Sequence, residues 1–170
     1  MRFPRENKSK LAQKDIDADW TKKNGERHFG YKDHVKCDAD SKLITNYSVT
    51  SASVHDSQRC LVFIGQEDEV LYADSAYSGK PIALALPENC KNQICEKGYR
   101  NSPLTSEQKM NNRRKSRIRC RIEHIFGFIT GAMHGITIRS IGITRAWMNI
   151  GITNLVYNFC RYSYLKRASA

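Results

Sequence analysis

No run of about 18 consecutive apolar residues occurs in this 170-residue chain, so a membrane-spanning helix is not expected. The first ten residues carry Arg2, Arg5, Lys8 and Lys10 with no apolar stretch behind them, and a secretory signal is not expected either. The six cysteines, at 37, 60, 90, 95, 120 and 160, form no CxxC pair. Cys90 and Cys95 have no neighbouring His or second Cys pair to complete a zinc site, and the six are read as reduced thiols of a cytoplasmic protein. There is no internal repeat and no low-complexity tract, which excludes solenoids and fibrous arrays.

Positive charge is plentiful. Against 17 Asp plus Glu stand 28 Lys plus Arg, a net charge of +11. Residues 1–60 hold 12 basic and 9 acidic side chains and residues 61–170 hold 16 and 8, so the second part is the more basic. Lys109, Arg113, Arg114, Lys115, Arg117, Arg119 and Arg121 fall in one stretch with no acid until Glu123. Such density suits a polyanion, because each base that neutralises a phosphate releases counterions. The alternative is a solvated helix face. Hydrophobic residues at 40% are enough for a core, and the length suits one domain.

The patterning points to the α/β class. Residues 1–23 are polar, of mixed charge, and read as an extended or loosely ordered arm, with residues 24–165 as the folded domain and 166–170 as a tail. Phe29, Tyr31, Val35 and Cys37 alternate with polar residues, Asp33 interrupting, and predict a strand over 28–37. A turn at 38–42 and a returning strand over 43–50 complete a hairpin. Asp56 and Ser57 can cap a short helix through Ile64. Glu69 to Ala73 predicts a buried strand ending at Asp74. An apolar helix after Gly79 stops at Pro87, and an irregular or extended piece follows to Arg100. Thr105 or Ser106 caps a long helix reaching Met133, on which Ile118, Ile122, Ile125, Phe126, Ile129 and Met133 form one stripe, closed by Gly135. A last helix spans about 144–164.

Asp74 at a strand end and Glu123 on a packed helix could face each other across a shallow cleft. Two such hard oxygen ligands can hold Mg²⁺ or Mn²⁺, which takes the rest of its shell from water and phosphate. On position alone, either acid is more often an ordinary surface or capping group. His55 at a strand-to-helix junction and His124 beside Glu123 are secondary candidates. Trp20 can stack on an unpaired base or dock the arm on the core.

Four segments supply a motif context: Thr21-Lys-Lys-Asn-Gly-Glu-Arg-His-Phe-Gly-Tyr-Lys-Asp-His-Val-Lys36, Val54-His-Asp-Ser57, Tyr72-Ala-Asp-Ser-Ala-Tyr-Ser-Gly79 and Arg119-Cys-Arg-Ile-Glu-His-Ile-Phe-Gly127. In this order they resemble bacterial insertion-sequence transposases of the DDE class, in the insertion-sequence-five-like group. The resemblance implies an RNase H-like mixed sheet flanked by helices, with Asp74 as the second catalytic Asp and Glu123 as the catalytic Glu. It implies a divalent metal, DNA as partner, and cleavage and transfer of DNA strands at element ends. Arg119 matches the Arg of the family's Tyr-x2-Arg-x3-Glu-x6-Lys signature, whereas Ser116 and Thr130 stand where it has Tyr and Lys. No residue here matches the family's first catalytic Asp. Asp15, Asp17 and Asp19 correspond to no catalytic position, so the expectation is a truncated and catalytically impaired form lacking the first core strand. The alternative is a non-catalytic basic DNA-binding remnant that pairs with intact transposase or with itself. A basic structural or RNA-associated protein is a third, remoter reading.

Overall fold

The computed structural model describes residues 13–23 and 25–169. It is mixed α/β, as the patterning predicts. Strands β1 (Asp19–Lys23), β2 (Glu26–Cys37) and β3 (Ile44–Ser51) form an antiparallel sheet in the order β1-β2-β3. Helix α1 (Ser57–Phe63) follows, then strand β4 (Val70–Leu71), helix α2 (Lys80–Ala85) and strand β5 (Lys91–Asn92), which pairs parallel with β4. Helices α3 (Ser106–Arg119), α4 (Arg121–Gly131) and α5 (Ile143–Ala168) complete the chain. Among the described residues the strands make two sheets and not the single mixed sheet expected. Along residues 31–37, β2 pairs, among the described residues, only with β3.

The expected hairpin is present. Its turn is held by Asp38, whose carboxylate accepts from Ser41 N and Oγ, both at 2.6 Å, the local side-chain-to-backbone bonding that makes such residues turn formers. The residues read as an arm go further than expected: residues 1–12 lie outside the described residues, but Asp19–Lys23 form β1, in register with Glu26–Gly30. Trp20 sits opposite Phe29 with ring centroids 5.2 Å apart, so this aromatic docks on its neighbouring strand.

Period two sends the side chains of β2 to two different layers. On one face Val35 and Cys37 pack with Ile44, Tyr47, Ile122, Ile125, Ile129 and Tyr157, the largest core cluster. On the other, Lys36 reaches the Phe63 carbonyl at 3.0 Å and Asp68 at 2.6 Å, fastening the end of α1. A second core joins Cys60, Ile82 and Ile94 to Leu71, Ala73 and Tyr77. The sheet thus separates α1 from α4 and α5, which is the layered arrangement of α/β folds. The six cysteines are free thiols in the structure.

The single long helix expected to Met133 is two helices. Thr105 caps it as predicted, with a reciprocal capping box to Gln108 at 3.2 and 2.9 Å. At Cys120 the helix breaks: Glu123 N donates to the Cys120 carbonyl at 3.0 Å, a tighter three-residue turn. The break lets the two segments meet different surfaces. Polar contacts hold α3, which buries no residue, whereas α4 buries Ile125 and Ile129. Gly135, at φ +75°, closes α4 with its N–H on the Ile129 carbonyl at 2.8 Å, a left-handed terminus that suits glycine.

Candidate active site and nucleic-acid interface

Asp74 stands where the strand reading placed it. Backbone bonds from Lys91, Gln93 and Cys95 to the carbonyls of Glu69, Leu71 and Ala73, each 2.9–3.0 Å, carry the ladder to the residue before it. Its carboxylate accepts from Ser75 N at 2.6 Å and caps the short 3₁₀ turn Ser75–Tyr77, leaving the side chain exposed. Glu123 lies in the first turn of α4, paired with Arg119 at 3.1 Å and 61% exposed. Aligned N–H groups there favour a carboxylate.

One residue links the elements that carry these acids. The N–H of Cys95 bonds the Ala73 carbonyl at 3.0 Å, and its Sγ lies 3.8 Å from Ser116 Oγ on α3. Beside it, Asn112 exchanges two bonds with the backbone of Glu96 at 2.9 and 3.0 Å, and Lys115 Nζ donates to the Ile94 carbonyl at 2.9 Å. These bonds pin α3 against the chain following β5. Glu123 follows Ser116 by seven residues, across the break at Cys120. From the other side, Arg121 donates to the Ala39 carbonyl and lies 3.2 Å from Asp40, tying the start of α4 to the β2–β3 turn. The strand end bearing Asp74 and the helix run bearing Glu123 are thus held on one assembly.

A third acid, Asp56, is one that the patterning reads only as a helix cap. Asp56 precedes α1 but makes no capping bond. Its carboxylate instead lies 3.4 Å from His34 Nδ1 and 3.7 Å from Lys32 Nζ. His34, 7% exposed, lies 2.8 Å from Thr50 Oγ1 through its other nitrogen. Burial holds the His34 pKa below its ordinary value against the opposing pull of Asp56. Tyr77, on the turn after Asp74, is pushed up to about 12 by burial and then by the charges of Asp56, Cys60 and Asp74. Asp56 and Asp74 therefore both act electrostatically on one tyrosine. The signal for this group is a His on the face of β2 shared with Lys32 and Lys36, together with the His-Asp pair before α1. His55, by contrast, is exposed, and its carbonyl accepts from Gln58 N at 3.1 Å. His124 is exposed beside Glu123.

The chemistry of this donor set is limited. No three His, Cys, Asp or Glu side chains among the described residues converge on a point that could hold a metal ion. Asp74 and Glu123 do not together make a complete set for Mg²⁺ or Mn²⁺, which prefers near-octahedral oxygen ligation.

The seven bases divide into two groups. Lys115, Arg119 and Arg121 are committed to the Ile94 and Ala39 carbonyls and to Glu96, Glu123 and Asp40. Lys109, Arg113, Arg114 and Arg117 are exposed, and no ion pair of theirs occurs among the described residues. At 100° per residue, Lys109, Arg113 and Arg117 lie within about 80° of one another with Arg114 flanking them, Lys109 bordering the Asn112–Ser116 side that docks on the protein and Arg114 and Arg117 turned furthest from it. A four-base strip of that kind can contact phosphates.

Asp15 and Asp17 have a different task. Gly142 precedes α5 without a side chain to cap it, and Asp15 and Asp17 accept from Gly142 N and Ile143 N at 3.2 and 3.0 Å. Tyr31 donates to Asp15 at 2.7 Å. Burial raises the Asp15 pKa, but these bonds outweigh it and hold the carboxyl below its ordinary value.

No helix among the described residues is long and apolar enough to cross a membrane. No solved structure matches the chain. A curated relative, the transposase for insertion sequence element IS1106 of Neisseria meningitidis serogroup B, is 33% identical over 117 residues, which is 67% of this chain and 40% of the relative. The chain thus matches less than half the length of that relative. The family described as "Transposase DDE domain" matches residues 5–159, and on that extent the chain belongs to the DDE transposase family.

Proposed function

We propose that this chain acts in insertion-sequence transposition as an RNase H-like DDE domain, with Asp74 and Glu123 as its metal-binding carboxylates and DNA as its substrate. The observation that carries the reading is the placement of Asp74 at the end of the β4 ladder, on the strand pinned through Cys95 to α3, the helix leading to Glu123. The antiparallel β2–β3 pair and the parallel β4–β5 pair supply both of the strand senses that an RNase H-like sheet combines. Lys109, Arg113, Arg114 and Arg117 bind the DNA backbone, and Arg119 positions Glu123 through its ion pair. A divalent ion, when bound, would polarise a phosphodiester and activate water or a 3′-hydroxyl.

Two carboxylates are too few to hold a pair of such ions, so cleavage by this chain alone is weak. The test is nicking of supercoiled DNA in Mg²⁺ or Mn²⁺. We expect slight activity that falls to background in Asp74→Asn and in Glu123→Gln while DNA affinity is unchanged or slightly higher, since each change removes a negative charge. Residual nicking insensitive to both substitutions overturns the assignment of the site. A second reading, a non-catalytic DNA-binding remnant that pairs with intact transposase, is favoured by the lack of any converging three-ligand set among the described residues. It predicts tight DNA binding with no metal-dependent nicking at all.

A further inference from the structure

The longest helix is half-occupied. Along α5, Ala146, Ile150, Asn154 and Tyr157 are buried against the rest of the protein. Roughly 180° around the axis, at 100° per residue, lies a second apolar stripe made of Met148, Ile152, Leu155, Phe159 and Tyr162. Each is more than half exposed, from 52% at Tyr162 to 63% at Phe159.

The spacing of this stripe is 4, 3, 4, 3. A face that merely covers a core broadens as it follows the 3.6-residue turn, whereas alternating fours and threes keep a narrow seam of period 3.5, the pattern by which one helix packs along another. Between Arg145 and Arg161 the helix has no charged residue, so the seam from Met148 to Phe159 carries no charge that would select an acidic or basic partner over a like one, and only at its far end does a base, Lys166, lie over a seam residue, 5.7 Å from the centre of the Tyr162 ring. The stripe is also long enough to matter. Five large side chains at half exposure present on the order of 500 Å² of surface, so two such faces would bury about 1,000 Å², close to the smallest specific interfaces.

We propose that this seam is the contact between two copies of the chain, paired α5 to α5 about a two-fold axis at Leu155. Leu155 is the middle residue of the stripe, so a symmetric pair with full overlap brings it opposite its mate whether the helices run parallel or antiparallel. The proposal rests on the surface of α5 alone and is independent of the roles of Asp74 and Glu123.

Sedimentation equilibrium over a range of concentrations tests it, with the whole chain. The unaltered protein should show a reversible monomer–dimer equilibrium, and the double variant Leu155→Glu, Phe159→Glu should weaken it by about 30-fold or more, since both residues sit at the centre of the contact. Far-UV circular dichroism should be unaltered, and so should the thermal midpoint at concentrations low enough for both proteins to be monomeric, because neither side chain is buried in the monomer. Oxidation of Leu155→Cys should give a covalent dimer at a yield above that of the unaltered protein, whose exposed Cys160 lies off the seam. A chain that stays monomeric at all concentrations, or a dimer that survives the double substitution, overturns the proposal. So does a Leu155→Cys variant that crosslinks no more than the unaltered chain.

Discussion

Asp33 is the side chain least at ease in the structure. It shares the inward parity of β2 with Val35 and faces Asn154 of α5. Both oxygens of Asp33 and both amide atoms of Asn154 are buried without a hydrogen-bond partner among the described residues. Burial pushes the Asp33 carboxyl up to about 6, with the Asn154 side chain partly offsetting it. The native state therefore prefers the protonated acid, and this group takes stability away as pH rises from the ordinary carboxyl range through about 6. The full loss is about 3 kcal/mol at 1.36 kcal/mol per unit. Asp33→Asn should raise the melting temperature clearly at pH 8 and barely at pH 4, and equal shifts at both would show that charge burial is not the cause. Asp15 works in the opposite sense. Its lowered carboxyl supports the fold above the ordinary carboxyl range and loses that support as pH falls through its folded value. Replacing Asp15 and Asp17 with Asn should lower the melting temperature at neutral pH and flatten its decline in acid, measured by thermal scans from about pH 7 to pH 2.

Helix α3 separates stability from binding along its two sides. Its docking side is polar, and its start depends on the Thr105–Gln108 box, so Thr105→Ala should cost about 1 kcal/mol in denaturant unfolding. Its outer side carries Lys109, Arg113, Arg114 and Arg117. Changing all four to Ala should weaken DNA binding and reduce the slope of log affinity against log salt by about 3 to 4, with stability nearly unchanged. Lys115→Ala and Arg121→Ala should do the reverse, lowering stability while leaving that slope within about one unit. An unchanged slope in the fourfold variant would make the outer strip a solvated face. On α5, Gly151 answers a packing demand: a Cβ there would collide with the Tyr47 hydroxyl, whose ring lies against Trp147 at 4.6 Å. Gly151→Ala should destabilise by about 1–3 kcal/mol, the range for overpacking.

Across the whole molecule, the arm, the sheet and the helices are tied by contacts distant in sequence. Asp15 and Asp17 reach the start of α5, Arg121 reaches the β2–β3 turn, and Asn158 bonds Ile44 N and O at 2.8 Å each. Arg161 donates to the Ser41 carbonyl at 2.7 Å and Tyr157 to that of Lys42 at 3.0 Å. Helix α5 therefore clamps both ends of the antiparallel sheet, and its free seam is turned away from that work.

Alternation and helical period made the hairpin, the β4 ladder, the capped helix at Thr105 and the last helix legible from residues alone, because those patterns reflect which side chains face water. Short-range chemistry also exposed the turn at Asp38 and the closure at Gly135. The motif order brought out the family. Tertiary contact alone decided the rest. The break at Cys120 leaves no mark in the stripe, because it arises from polar docking of α3 and apolar docking of α4 on different surfaces. Asp56 looks like a cap until folding brings His34 beside it, and Asp15 and Asp17 look like loose arm residues until the start of α5 arrives. Which of seven bases remain outward was likewise set by carbonyls and carboxylates far along the chain, since a charge pattern records the sign of a side chain and not the partner that takes it.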